Sequence, residues 1–307
     1  MKIAFAQNTV WVDTCAIDTW LGFDNRQAIF PIHRGVRFVL LAGSRGPSAL
    51  DAAVAWRALA APALSSADGW RVRFGRELNA TDDGAHFAAM AEGARAALDP
   101  AGLDADGLRR APRTLVPVVD GRHLRPFGVD VAGVGRAIAR HTAARLLDGA
   151  STFERDRVCY RDVASVSNRL TLIAARLPAG VVSTHTVFCA KAIFTPADTW
   201  CLVGLLNSLV AGYLVRLQMT THVTTALMAR LPVPRPAAGS LVHGSLASLA
   251  ESLSRGTIEE HAEDYARLNA LAARLYGVTP DEYAHVVSTF PLLPAPLRER
   301  CVEVFDE

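Results

Sequence analysis

The chain has 307 residues, half of them apolar, and a formal net charge of +2. That is enough apolar material to bury a real core, and so small a net charge says nothing by itself about a partner. Five cysteines at 15, 159, 189, 201 and 301 are too widely spaced for a zinc site, so the reading is reduced thiols in a cytoplasmic protein.

The first 13 residues lack a sustained apolar core and a small-residue cleavage site, which argues against a secretory signal. Residues 29–41 alternate and then run apolar, predicting one or two strands with a turn at His33-Arg34-Gly35. An alanine-rich helix follows within 42–67. The alternation in 70–74 predicts a strand, and Thr81-Asp82-Asp83-Gly84 predicts the cap of a helix running to about Leu98. A short strand is expected at 115–119 before the Asp120-Gly121 turn. A glycine-rich loop then leads to a helix from about Gly135.

Residues 158–163 and 170–174 read as paired strands, and 181–193 is strand-rich. The uncharged stretch 200–215 spans 16 residues. A membrane-spanning helix needs roughly 20, so a buried core helix is expected and no membrane partner. Gly204, Ser208 and Gly212 would share one face of it. The prolines in LPVPRP at 231–236 exclude regular helix and make a natural boundary. Beyond it, Thr257/Glu260 and Thr279/Glu282 fit capping boxes, with Gly277 as a helix stop between them.

Charge is segregated along the chain. Residues 107–191 hold 14 basic and 6 acidic side chains, whereas 251–307 hold 5 basic and 11 acidic. An arginine-rich block inside a near-neutral chain is the footprint expected of a surface facing a polyanion. A solvated arginine-rich face is the plainer alternative. Catalytic signatures are missing: there is no phosphate-binding loop, HExxH or GxSxG, and Gly133-Val134-Gly135 lacks the third glycine of a dinucleotide motif. Asp18/His33 and Glu260/His261 are acid–histidine pairs without a third partner.

Five stretches, in order, resemble the C-terminal part of type IIG restriction–modification enzymes, which are adenine-specific DNA methyltransferases, including their TaqI-like specificity domain. They are GFDNRQAIFPIHRGVRFVLL at 22–41, LVPVVDGRHLRPF at 115–127 and YRDVASVSNRLTLIAARLPAGVVSTHTV at 160–187. LVGLLNSLVAGYLVRLQMTTHVTTALMARLPVP at 202–234 and LYGVTPDEYAHVVSTFP at 275–291 complete the set. The resemblance implies an α+β fold, a mixed strand-and-helix recognition domain with a helical C-terminal subdomain. It divides the chain into an edge of the catalytic domain at 1–60, the target-recognition domain at 61–236 and the helical part at 237–307.

The family's Asn-Pro-Pro-Tyr motif is missing, as are its S-adenosylmethionine loop and its nuclease signature. The chain is therefore expected to hold no cofactor and to be inactive alone. S-adenosylmethionine is expected in a methyltransferase catalytic domain or subunit acting as its partner, with double-stranded DNA as the other partner. A protein-interaction module or inactive remnant is the alternative. The poor fit of 1–21 to the family is compatible with a truncated or reassigned start.

The recognition surface implied by the family overlaps the basic block. The candidate DNA contacts are Arg122, His123, Arg125, Arg161, Asn168, Arg169, Lys191, Thr221 and His222, with Asp162 expected to hold Arg161 or Arg169 in place. Phe23, Asp24 and Asn25 could belong to the seam with the catalytic domain.

Overall fold

The computed structural model describes residues 17–24 and 37–43 as backbone, and 48–90, 114–165, 168–219 and 222–307. Its contacts divide into two units, Met1–Ala53 and Val54–Glu307. In the first, β1 (Ile17–Asp24) pairs antiparallel with β2 (Arg37–Gly43), Phe23 opposite Phe38. The expected strand near Leu41 thus falls on β2. The turn at 33–35 and the residue Asn25 lie outside the described residues.

The second unit is α+β. Helix α1 (Ala49–Ala58) delivers Val54 and Ala58 to its core. One four-stranded sheet runs in the order β10–β9–β12–β3, from β10 (Ala174–Leu177), β9 (Arg157–Arg161), β12 (Val187–Ala190) and β3 (Phe74–Gly75), all pairs antiparallel. The other runs β11–β5–β8–β4, from β11 (Val182–Ser183), β5 (Leu115–Val119), β8 (Arg136–Ala139) and β4 (Phe87–Ala89), and a small antiparallel ribbon pairs β6 (Leu124–Arg125) with β7 (Gly128–Val129). Pro117 offers β5 no N–H. The parallel partner β11 joins only from Val118 onward, beyond the proline.

Three expectations are corrected here. Trp70 and Val72 are buried, but Arg71 has φ +54, so the extended run 70–74 is broken and only Phe74–Gly75 joins a sheet. The acidic turn at 82–83 closes backwards instead of capping a helix: Asp83 accepts from the Asn79 backbone N–H at 2.7 Å and Asp82 from the Asn79 amide at 2.5 Å. A single 3-10 turn follows at Gly84–His86, and Phe87 then pairs with Ile138 in β4, while the rest of the expected helix, 91–98, lies outside the described residues. Residues 136–139 form β8 before helix α2 (Arg140–Leu146) begins.

The apolar stretch is two helices, α3 (Pro196–Leu206) and α4 (Leu209–Arg216), bent by 55°. No single helix among the described residues is long and apolar enough to cross a membrane. Ser208 caps α4, accepting from the Ala211 N–H at 3.2 Å, so the small-residue face is split at the bend. A Cβ on Gly204 would stand 3.3 Å from the Ala250 Cβ and the Leu268 Cδ1, whereas Gly212 faces Phe290.

Short helix α5 (Thr225–Arg230) precedes the proline segment, where Tyr276 Oη donates to the Pro232 carbonyl at 2.9 Å. Helices α6 (Leu241–Leu253), α7 (Ala262–Tyr276), α8 (Pro280–Ser288) and α9 (Ala295–Asp306) complete the unit. Gly277 ends α7 at φ +69, and Thr279 and Glu282 form the capping box of α8, both as the sequence predicts. Thr257 and Glu260 exchange the hydrogen bonds of a capping box in the turn ahead of α7.

Candidate nucleic-acid interface

A cleft of about 1040 Å³ opens within the second unit, lined by five arginines: Arg122, Arg125, Arg136, Arg161 and Arg169. Only Asp120 and Glu259 oppose them in its lining. Its floor comes from the end of β9 and from the turn after β5. Its far wall is the segment 256–259, which leads into α7.

Asp120 organises the turn. Its Oδ2 takes Arg136 Nη2 at 2.6 Å and faces Arg122 Nη2 at 3.7 Å, while Oδ1 accepts from the Thr184 hydroxyl at 2.7 Å. Partial burial works to raise its pKa, but the Thr184 hydroxyl and the Arg136 guanidinium outweigh it and hold the carboxyl below its ordinary value. The Asp120 N–H in turn donates to His123 Nδ1 at 3.0 Å. His123 is only 7% exposed, and burial keeps its imidazole neutral to lower pH than usual, with the neighbouring Arg122 charge adding to that. The structure thus places His123 in the framework of the turn.

The arginines differ in how they are held. Arg125 reaches across to the helical segment and donates to the Ser254 carbonyl at 2.6 Å and to the Gly256 carbonyl. Arg169 pairs with Glu259, and both side chains remain part-exposed. Arg122, at the mouth, has 70% of its side chain exposed. Arg161 extends from the last position of β9, where its N–H is bonded to the Ile173 carbonyl at 3.0 Å. Its Cγ lies over Gly121, on which a Cβ would stand 3.0 Å away, closer than an ordinary van der Waals contact. Its Nε is buried with no hydrogen-bond partner among the described residues. Burial weakens the proton affinity of this guanidinium.

Asn168 and Arg169 stand on the loop between β9 and β10. Arg216, at the end of α4, holds that loop from behind: Nη2 donates to the Asn168 carbonyl at 3.1 Å and Nε to the Thr171 hydroxyl at 2.9 Å. Arg216 also donates to the Thr289 carbonyl and lies over the Phe290 ring at 4.1 Å. Sequence reasoning did not single out Arg216. Its only signal was a charge closing an apolar run.

Of the nine candidates, the cleft gathers Arg122, Arg125, Arg161, Asn168 and Arg169. His222 is beside it, with Nδ1 3.3 Å from Asp162 Oδ2 and a backbone bridge to Val163, a lining residue. Asp162 therefore holds His222, where the sequence reading gave it Arg161 or Arg169. Lys191 lies elsewhere, its Nζ 3.5 Å from the Arg76 carbonyl. Thr221 is outside the described residues. Arg136 lines the cleft although the sequence reading did not choose it. No group of three or more potential metal ligands occurs among the described residues.

No protein-family model matches this chain, and no curated protein does. Among solved structures it is similar to the type IIL restriction–modification enzyme MmeI in complex with DNA, with a TM-score of 0.39 and 11% identity. The match covers 76% of this chain and 34% of that one, so the chain spans about a third of the enzyme's length. A superposition at that score does not establish a shared fold, and what the cleft does has to be read from its own residues.

Proposed function

We propose that the chain is the sequence-recognition module of an N6-adenine DNA methyltransferase of the restriction–modification kind, and that its arginine-lined cleft receives double-stranded DNA. The observation that carries this reading is the gathering of five arginines, contributed by segments from 122 to 169, around one cleft with only two opposing carboxylates. A polyanion compensates that excess, and guanidinium groups suit both phosphate oxygens and base edges. The five stretches that resemble the methyltransferase family include the segments bearing Arg122, Arg125, Arg161, Asn168 and Arg169. S-adenosylmethionine and the methyl-transfer chemistry would belong to a catalytic partner.

Binding of duplex DNA by the purified chain should fall steeply with salt, because each phosphate contact releases counterions. Arg122→Ala should weaken binding to every sequence and reduce the salt slope by about 1. Arg169→Ala should weaken it as well. Equal binding by both variants and the wild type across a salt titration would remove the cleft from consideration. In the native genome, deleting the gene should abolish adenine methylation at one specific motif, read by long-read sequencing.

A protein-interaction role is the second reading, favoured by the exposure of Trp56 (77%) and Leu59 (68%) on and just after α1. It predicts no DNA binding at any salt concentration.

A further inference from the structure

Within the cleft, the polar groups fall into two sets. Arg125 is committed to two main-chain carbonyls, Arg136 to Asp120 and Arg169 to Glu259, while Arg122 is exposed at the mouth. Arg161 and Asn168 are different. Neither guanidinium nor amide has a hydrogen-bond partner among the described residues, yet each stands on backbone that is fixed. Arg161 is anchored in β9 by its N–H to Ile173, and its stem is pressed against Gly121. Asn168 is held on both sides of its Cα, its N–H donating to the Ser165 carbonyl at 3.0 Å and its carbonyl accepting from Arg216.

We infer that Arg161 and Asn168 are the residues that read base edges, with Arg216 as the positioning residue behind Asn168. This rests on the DNA-recognition reading above and deepens it. Telling one base from another needs donors and acceptors whose positions are defined before contact and which are not spent inside the protein. Phosphate contact tolerates mobile or partly paired arginines, because charge alone supplies most of it. The planar amide of Asn168 fits the N6 and N7 edge of adenine, donating one hydrogen bond and accepting the other. The guanidinium of Arg161 fits O6 and N7 of guanine through two donors. Arg161 lines the cleft, and no hydrogen bond to a described residue engages its guanidinium.

The test is selection of duplexes from a randomised library by the wild-type chain and by Asn168→Ala, Arg161→Lys and Arg122→Ala, with thermal unfolding of each variant alongside. The wild type should enrich a motif containing an adenine and a guanine. Asn168→Ala should flatten the preference at one adenine position, lowering discrimination there roughly tenfold. Arg161→Lys keeps the charge and loses the planar fork, so it should flatten a guanine position. Arg122→Ala should lower affinity for all sequences by one common factor.

Arg216→Lys should blur the same adenine position as Asn168→Ala, which a purely structural loss would not do selectively. Full retention of the wild-type motif by both Asn168→Ala and Arg161→Lys, with melting temperatures unchanged, would overturn the assignment while leaving DNA recognition intact. A wild type that binds DNA with no sequence preference would overturn it in the same way. A wild type that binds no DNA would overturn both readings together.

Discussion

A tightly held pair of charges lies outside the cleft. Arg157 and Glu77 are both fully buried and joined by two hydrogen bonds of 2.6 and 2.8 Å. Glu77 Oε2 also accepts from the Ser183 N–H and hydroxyl, and Arg157 donates to the Val181 carbonyl, so the pair ties β9 of one sheet to β11 of the other. Burial alone would raise the Glu77 pKa, but the Arg157 charge and these hydrogen bonds overcome it and hold it below the ordinary 4.5. A depressed carboxylate contributes stability above its unfolded-state pKa and loses it as pH falls through the folded-state value. Glu77→Gln should therefore cost about 3–5 kcal/mol in urea unfolding at neutral pH, because it leaves Arg157 buried and unpaired. The mutant should also lose part of the wild type's acid sensitivity below the carboxylate range. Replacing both partners by apolar residues of similar volume should cost far less. None of this was legible in the sequence, where Arg157 is one of 14 basic residues in a block and Glu77 lies 80 positions away. The same limit applied to the cleft: arginine content pointed to the region that lines it, but Arg122 and Arg125 look alike in sequence, and only the carbonyls of Ser254 and Gly256 separate them.

At the scale of elements, the apolar stretch 200–215 shows what periodicity conveys and what it misses. Its burial was plain from composition, while at its bend two asparagines make hydrogen bonds to partners distant in sequence. Asn207 ends α3 and offers its amide to the main chain of Ala174, accepting from the N–H at 3.1 Å and donating to the carbonyl at 2.8 Å, as a neighbouring strand would for β10. Asn269, from α7, accepts from the Leu209 N–H at 2.7 Å at the first residue of α4. Asn207→Ala would strand the buried Ala174 N–H, while the Ala174 carbonyl keeps the Phe127 N–H at 2.9 Å, an expected loss of about 1–3 kcal/mol, whereas Asn207→Asp would keep the acceptor. Chemical denaturation of the two variants checks this; a loss within 0.5 kcal/mol, as at an ordinary surface site, would mean water replaces the amide there. The helix expected after Thr81 failed for a related reason. The Asp82–Asp83 pair had the composition of a cap, but the Asn79 groups it serves precede it in the chain.

For the molecule as a whole, the proline segment at 231–236 looks like a boundary in sequence, yet the core runs through it. Leu231 and Val233 are buried in the same cluster as Leu202, Leu246, Leu268 and Phe127. Phe127 meets Tyr265 edge-on at 6.4 Å, and Tyr276 is hydrogen-bonded to Pro232. The helices beyond the prolines therefore complete the core that the sheets begin, and they also supply Glu259 and the carbonyls that hold Arg125. Ending the chain at Pro236 should expose the apolar faces of α3 and α4 and remove one wall of the cleft. Such a fragment should lack a cooperative melting transition by circular dichroism and should lose salt-sensitive DNA binding along with it. A fragment that melts cooperatively and binds DNA as the full chain does would show that the helical segment is an appendage and that recognition resides in the sheets alone. The acidic character of that segment gains a physical role if the fragment fails. Glu259 pairs with Arg169, so on the proposed reading an incoming phosphate would have to displace a carboxylate, which would disfavour loose non-specific contact relative to a duplex that also satisfies the groups deeper in the cleft.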